Sequence, residues 1–141
     1  MENTIKMGVY FIKDGKPVEN FSEGVEKDRL LVVGKHCRFY ISMKDLGRAI
    51  FKGAQEKAAA LGEGWRCPDS FEGRTIGLAS DEIKKKAGML GATHFENLWW
   101  FWTNEQIDRW YAADVNFYNG DVSSRYMGSG SFVLALSAFQ E

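Results

Sequence analysis

Thiol and imidazole chemistry rests on few residues: the cysteines Cys37 and Cys67 and the histidines His36 and His94 are the whole supply. His36 and Cys37 are adjacent, so on a strand they project to opposite faces and do not form a nucleophile–base pair. The cysteines carry no spacing motif, and a disulfide, two buried thiols or reactive groups all fit their positions. A reducing compartment, expected for a chain with no visible leader, favours buried thiols. Hard oxygen donors come later, at Glu105, Asp108, Asp114 and Asn116. Calcium needs ~6–8 oxygens converging on one point, and solvated polar residues account for this set equally well. No catalytic residue, metal or cofactor is expected.

Recognition chemistry is better represented. Thr103, Asn104, Glu105 and Asp108 lie in a polar stretch, Thr103 to Asp108, that interrupts the most apolar segment of the chain. Loops on a rigid sheet commonly carry binding residues. Trp110 and Tyr118 fall on the more polar side of the next segment as candidate aromatic platforms, and Asp114, Asn116 and Arg125 complete that face. The expected ligand-binding set is therefore Thr103, Asn104, Glu105, Asp108, Trp110, Asp114, Asn116, Tyr118 and Arg125.

These residues need a scaffold, and the pattern supplies one. Leu98-Trp99-Trp100-Phe101-Trp102 is apolar in both alternation sets, the signature of a central strand buried on both faces. Trp65, Trp99, Trp100 and Trp102 are accordingly expected in the core. Asn119-Gly120 signals a two-residue hairpin turn. It sets Phe117 opposite Val122, Asn116 opposite Ser123 and Asp114 opposite Arg125. After a turn at Gly128 to Ser131, the alternation of Phe132, Leu134 and Leu136 predicts a closing strand that ends near Phe139.

Upstream, Asp14-Gly15 closes a first hairpin, and Arg29 to Val33 with His36 to Ile41 form a second. A helix is expected from an N-cap at Ser42, with Asp45 three residues on and Leu46, Ile50, Ala54, Ala58 and Leu61 along one face, ending at Gly62. Asp69 and Glu72 repeat the capping logic for a second helix from Ser70, and Ser80 starts a further piece, Asp81 to Leu90. The expected architecture is α+β: hairpins over 7–41, a helical region over 43–90 and a β-meander over 97–139, with two helical regions packed on a twisted antiparallel sheet.

At 141 residues, 45% hydrophobic and 14% aromatic, the chain is long enough for one domain over 1–141 with its own core. A net charge of -1 leaves no footprint for nucleic acid. No stretch reaches the ~18 apolar residues of a membrane span. Met1 to Lys6 lack the grammar of a signal peptide, so localisation stays open, with cytoplasmic and virion-associated readings both allowed.

Three motifs in order, Gly64-Trp65-Arg66-Cys67-Pro68 with Glu72, Trp100-Phe101-Trp102-Thr103-Asn104-Glu105, and Val115-Asn116-Phe117-Tyr118-Asn119-Gly120, resemble a bacterial C-type-lectin-like domain. This is the kind found at the C-terminus of collagen-like adhesins and in secreted paralogues. The likeness covers roughly Leu30 to Phe139. It implies a C-type-lectin-like fold and a non-catalytic module for carbohydrate or protein recognition at a cell or phage surface. Cys67 stands where that family usually has Leu, and Leu134 where it has an arginine. The calcium motifs of C-type lectins, a Glu-Pro-Asn loop and a Trp-Asn-Asp strand, are missing. The cysteine pair of the related formylglycine-generating enzymes has no counterpart near the end of this chain. The alternative is a cytoplasmic structural or assembly protein of the same fold with no ligand site. The expected partners are a glycan or protein ligand, or further copies of the chain in a homo-oligomer.

Overall fold

A computed structural model describes residues 5–139; Met1 to Thr4, on which the expectation about a leader partly rests, lie outside the described residues. In chain order, strands β1 Gly8–Lys13, β2 Lys16–Val18, β3 Arg29–Val33, β4 Arg38–Ser42 and β5 Arg48–Ala49 precede helices α1 Phe51–Ala59, α2 Ser70–Leu78 and α3 Ser80–Met89. A short 3-10 helix, His94–Asn97, leads into β6 Trp100–Gln106, β7 Tyr111–Asn116, β8 Val122–Tyr126, β9 Ser131–Phe132 and β10 Leu136–Ala138. The fold is α+β, with two five-stranded sheets ordered β10-β4-β3-β1-β2 and β5-β9-β6-β7-β8, antiparallel except where β9 runs parallel to β6.

Alternation sorts the first sheet into two apolar faces. Val9, Phe11, Leu30, Val32, Phe39 and Ile41 join Ile76, Ile83 and Ala87 of the helices, Phe101 and Val115 of the second sheet and Phe117 just after β7 in the largest core. Tyr10, Ile12, Leu31, Val33 and Tyr40 form a separate cluster with Trp65 and Phe139. On the second sheet, Trp102 and Ala112 pack against Ala54 and Ala58 of α1. The Asp14-Gly15 turn has both residues left-handed, φ 53° and 77°, as a tight two-residue hairpin requires.

The second helix starts where the sequence puts it. Asp69 Oδ1 accepts from Glu72 N at 2.7 Å, and Glu72 Oε1 accepts from Asp69 N at 2.9 Å, a complete capping box. Burial by itself pushes the Glu72 carboxyl up, but bonds from Arg66 and the Asp69 backbone, with the Arg66 charge, outweigh it and hold Glu72 below the ordinary carboxylate range. A carboxyl depressed by folding stabilises the protein above its unfolded pKa, and that stability is lost as pH falls through the folded value. Glu72→Gln should therefore flatten the loss of stability from about pH 5 downward. Urea titrations of both proteins at neutral and acid pH check this; an unchanged acid slope would contradict it.

Three elements depart from expectation. The first helix starts at Phe51, not after Ser42. Ser42 Oγ accepts from Lys44 N at 3.1 Å and Asp45 Oδ1 from Gly47 N at 2.9 Å, so both capping side chains close local turns instead. Gly47 is left-handed at φ 69°, and Arg48–Ala49 then pair with β9.

The last hairpin has a longer loop and a register two residues away from the one Asn119-Gly120 suggests. Val115 faces Val122, Asp114 faces Ser123 and Ala112 faces Arg125. Gly120 is left-handed, but Asn119 is not, so the two-residue turn does not form. Asn116 Oδ1 accepts from Tyr118 N at 2.8 Å, and Phe117 N donates to Trp99 O at 2.7 Å, which pulls Phe117 into the core. A slip of two preserves which side chains share a face.

The closing run is not a meander strand beside β8. It splits, with β9 between β5 and β6 and β10 beside β4 in the other sheet. Val133, Leu134 and Ala135, buried between them, carry the chain from one sheet to the other. Among the tryptophans expected in the core, only Trp102 is fully buried; Trp65 is half-buried and packs against the core, whereas Trp100 is half-buried outside it and Trp99 is 61% exposed, which corrects the assignment of these last two.

Candidate functional site

Strands β6 and β7 place Trp100 opposite Asn116 and Trp102 opposite Asp114 on one face of the second sheet. Helix α1 covers the Trp102 end, where Phe51 meets the indole edge to face at 5.4 Å and the indole Nε1–H donates to Ala49 O at 2.8 Å. Beyond it opens a cavity of about 380 Å³ walled by Arg48, Trp99, Trp100, Arg125, Ser131 and Phe132. Its size falls within the ~300–1,000 Å³ of small-ligand sites.

Each wall is held by a specific bond. Ser131 Oγ donates to Trp100 O at 2.9 Å, locking β9 against β6. The Arg48 guanidinium lies 5.2 Å over the Phe132 ring and donates to Gly130 O at 3.3 Å. Arg125 Nε donates at 2.7 Å to Asp114 Oδ2, and Asp114 is 1% exposed. The pair thus forms diagonally across the shifted register and is partly desolvated. Asp114 Oδ1 is buried with no hydrogen-bond partner among the described residues.

No family model matches the chain, and no curated protein matches it.

The nine residues singled out by the sequence do not converge. Asp114 and Arg125 meet beside the cavity. Thr103 to Gln106 belong to β6 and not to a loop, and the strand bulges between Trp102 and Gln106. Thr103 is fully buried, its hydroxyl donating to Ala113 O at 2.7 Å. Glu105 Oε2 accepts from Ser70 N at 2.8 Å and from Ser70 Oγ at 3.0 Å, tying β6 to the start of α2. Asn104 is exposed beside it, its backbone bonded to Pro68 O. Asp108 Oδ1 accepts from Trp110 N and Tyr111 N and closes the turn that exposes Trp110. Asn116 is buried and occupied with Tyr118 N, while the exposed Tyr118 ring sits under Lys84 at 5.2 Å. On the polar side of the hairpin, Asp114 and Asn116 of β7 are internal, while Tyr118 and Ser123 are exposed and Arg125 is half-buried.

Arg48, Trp99, Ser131 and Phe132 are wall residues that the sequence reading does not select. Three of them reach the cavity only because β9 inserts between β5 and β6, and no local spacing announces that pairing.

Elsewhere the reactive side chains are quiet. Burial pushes the Cys67 thiol up to about 12, with Arg66 opposing weakly, and its Sγ lies 3.5 Å from Ala54 O. Cys37 is half-buried, raised mainly by burial, and 3.4 Å from Thr75 Oγ1. Both cysteines are free. Burial lowers the pKa of His94, against a weaker opposing effect of Asp45. Among the described residues, no group of histidine, cysteine and carboxylate side chains could hold a metal ion. Thiolate is the reactive form, so Cys67 should resist iodoacetamide at about pH 8 until the protein unfolds. Mass spectrometry of native and urea-treated protein checks this; native labelling of Cys67 at the unfolded rate would contradict it.

Proposed function

We propose that this protein is a non-catalytic recognition module of C-type-lectin-like fold that binds a carbohydrate or protein ligand at a cell or phage surface, with the cavity beside Trp99 and Trp100 as its binding site. One observation carries the reading: Trp99 is 61% exposed at the rim of a concave, aromatic and cationic pocket. Small-ligand sites combine apolar walls with a few placed polar groups. Here the indoles supply the first, and Arg48 and Arg125 the second.

Glycan and peptide arrays probed with the labelled protein test this. Trp99→Ala should abolish the signal for any ligand found, while Trp110→Ala should leave it. Retention by Trp99→Ala would remove the cavity from the account.

The assembly reading is favoured by a different feature. Strand β8 is an edge of its sheet, and Val122, Tyr126 and the neighbouring Tyr111 are 46%, 50% and 43% exposed. Open edges with apolar side chains can pair with a second copy. Light scattering of Tyr126→Lys against the parent protein separates an edge-paired dimer from a monomer.

A further inference from the structure

We infer that the ligand of this cavity is an anionic saccharide whose acid group pairs with Arg125 and Arg48; the inference rests on the binding reading above and names its ligand class. Among the described residues, the walls hold two guanidinium groups and no acidic side chain. The carboxylate behind them, Asp114, is 1% exposed and spends its Oδ2 on Arg125 Nε at 2.7 Å.

That bond fixes how Arg125 presents itself. Its Nε is engaged from behind, and its two terminal nitrogens make no hydrogen bond to a described residue. A guanidinium anchored in this way keeps its planar fork for an oxyanion, and little rotamer freedom is left to lose on binding. Asp114 acts as a positioning residue and does not touch the ligand. Arg48 uses one terminal nitrogen on Gly130 O and stacks on Phe132, so it too is held in place with donors to spare. With one carboxylate against two guanidinium groups, the pocket keeps a net positive charge.

The aromatic wall selects the rest of the ligand. Trp99 and Trp100 both line the cavity, and indole surface suits the flat C–H face of a pyranose. An acidic peptide would satisfy the arginines but has no ring to cover the indoles. The acid can be a carboxylate or a phosphate, since both take the same fork.

Isothermal titration with trigalacturonate, its fully methyl-esterified form, glucose 6-phosphate and triglutamate tests the inference. Trigalacturonate or glucose 6-phosphate should bind and so identify the acid. The methyl ester should bind at least about tenfold more weakly than the free acid, and raising the salt should weaken the charged ligand alone. Arg48→Gln changes an exposed residue and should cost about tenfold in affinity with thermal stability kept. Arg125→Lys keeps the charge beside Asp114 but loses the fork, and should cost at least as much. Equal affinity for acid and ester, or full affinity in Arg48→Gln, would overturn the anionic class while leaving a binding module in place. Triglutamate binding as tightly as the sugars would overturn the saccharide. If none of the four binds, the inference fails, and silent arrays would take the binding reading with it.

Discussion

Gly77→Ala is expected to abolish folding or to destabilise the protein by at least about 3 kcal/mol, the upper end of overpacking penalties. In an exposed helix the same change would stabilise by ~1 kcal/mol. The reversal follows from position. A Cβ built on Gly77 would lie 2.3 Å from Gly120 Cα and 2.8 Å from Asn116 O, so α2 meets the β7–β8 loop backbone against backbone. Neither side has a flexible side chain that could give way. Gly88 in α3 supplies the control, because its Cβ would meet no atom of a described residue within 4 Å, and Gly88→Ala should be neutral or stabilising. Urea denaturation of the two variants decides the matter; a Gly77→Ala protein as stable as the parent would mean that α2 does not dock on that loop.

Trp102→Ala carries the second large effect, about 3–5 kcal/mol, the range for truncating a core aromatic. The ring is fully buried, meets Phe51 edge to face at 5.4 Å, and its indole N–H is satisfied by Ala49 O at 2.8 Å. Truncation would leave a cavity under α1 and an acceptor without its donor. Trp99→Ala, at a 61% exposed position, should change stability by no more than about 0.5 kcal/mol. Trp100 lies between the two. Equal losses for Trp99→Ala and Trp102→Ala would contradict the placement of these indoles.

Signals confined to a few residues were legible. Asp69 and Glu72 satisfy each other within one turn, and Asp14-Gly15 needs only two left-handed residues, so neither depends on distant contacts. Asn119-Gly120 carries an equally strong local signal, yet Phe117 is drawn into the core, and its backbone amide bonds Trp99 O. Tertiary burial outweighs turn preference there. Ser42 and Asp45 fail for a related reason, since β5 must reach β9 before α1 can begin.

The site was less legible than the fold. Asp114 and Arg125 share a face by alternation, and a two-residue slip preserves that parity, so their pairing survives a wrong register. The polar character of Thr103, Glu105 and Asp108 suggests recognition when only the sequence is considered. In the folded chain those side chains satisfy backbone and helix donors or acceptors, at Ala113, Ser70 and Tyr111. Polarity in a sequence does not separate a binding group from one that satisfies the protein itself.

The central claim is that ligand enters between Trp99, Trp100 and the two arginines. The chain has five tryptophans, so their indole N–H signals in a proton–nitrogen correlation spectrum can be followed one by one during titration with an array-identified ligand. Assignment by single substitution is direct. The account predicts saturable shifts of the Trp99 and Trp100 indoles while Trp110 stays fixed and the ligand is recovered unchanged. Shifts centred on Trp110 and the Thr103 to Asp108 amides, or conversion of the ligand during the titration, would contradict it.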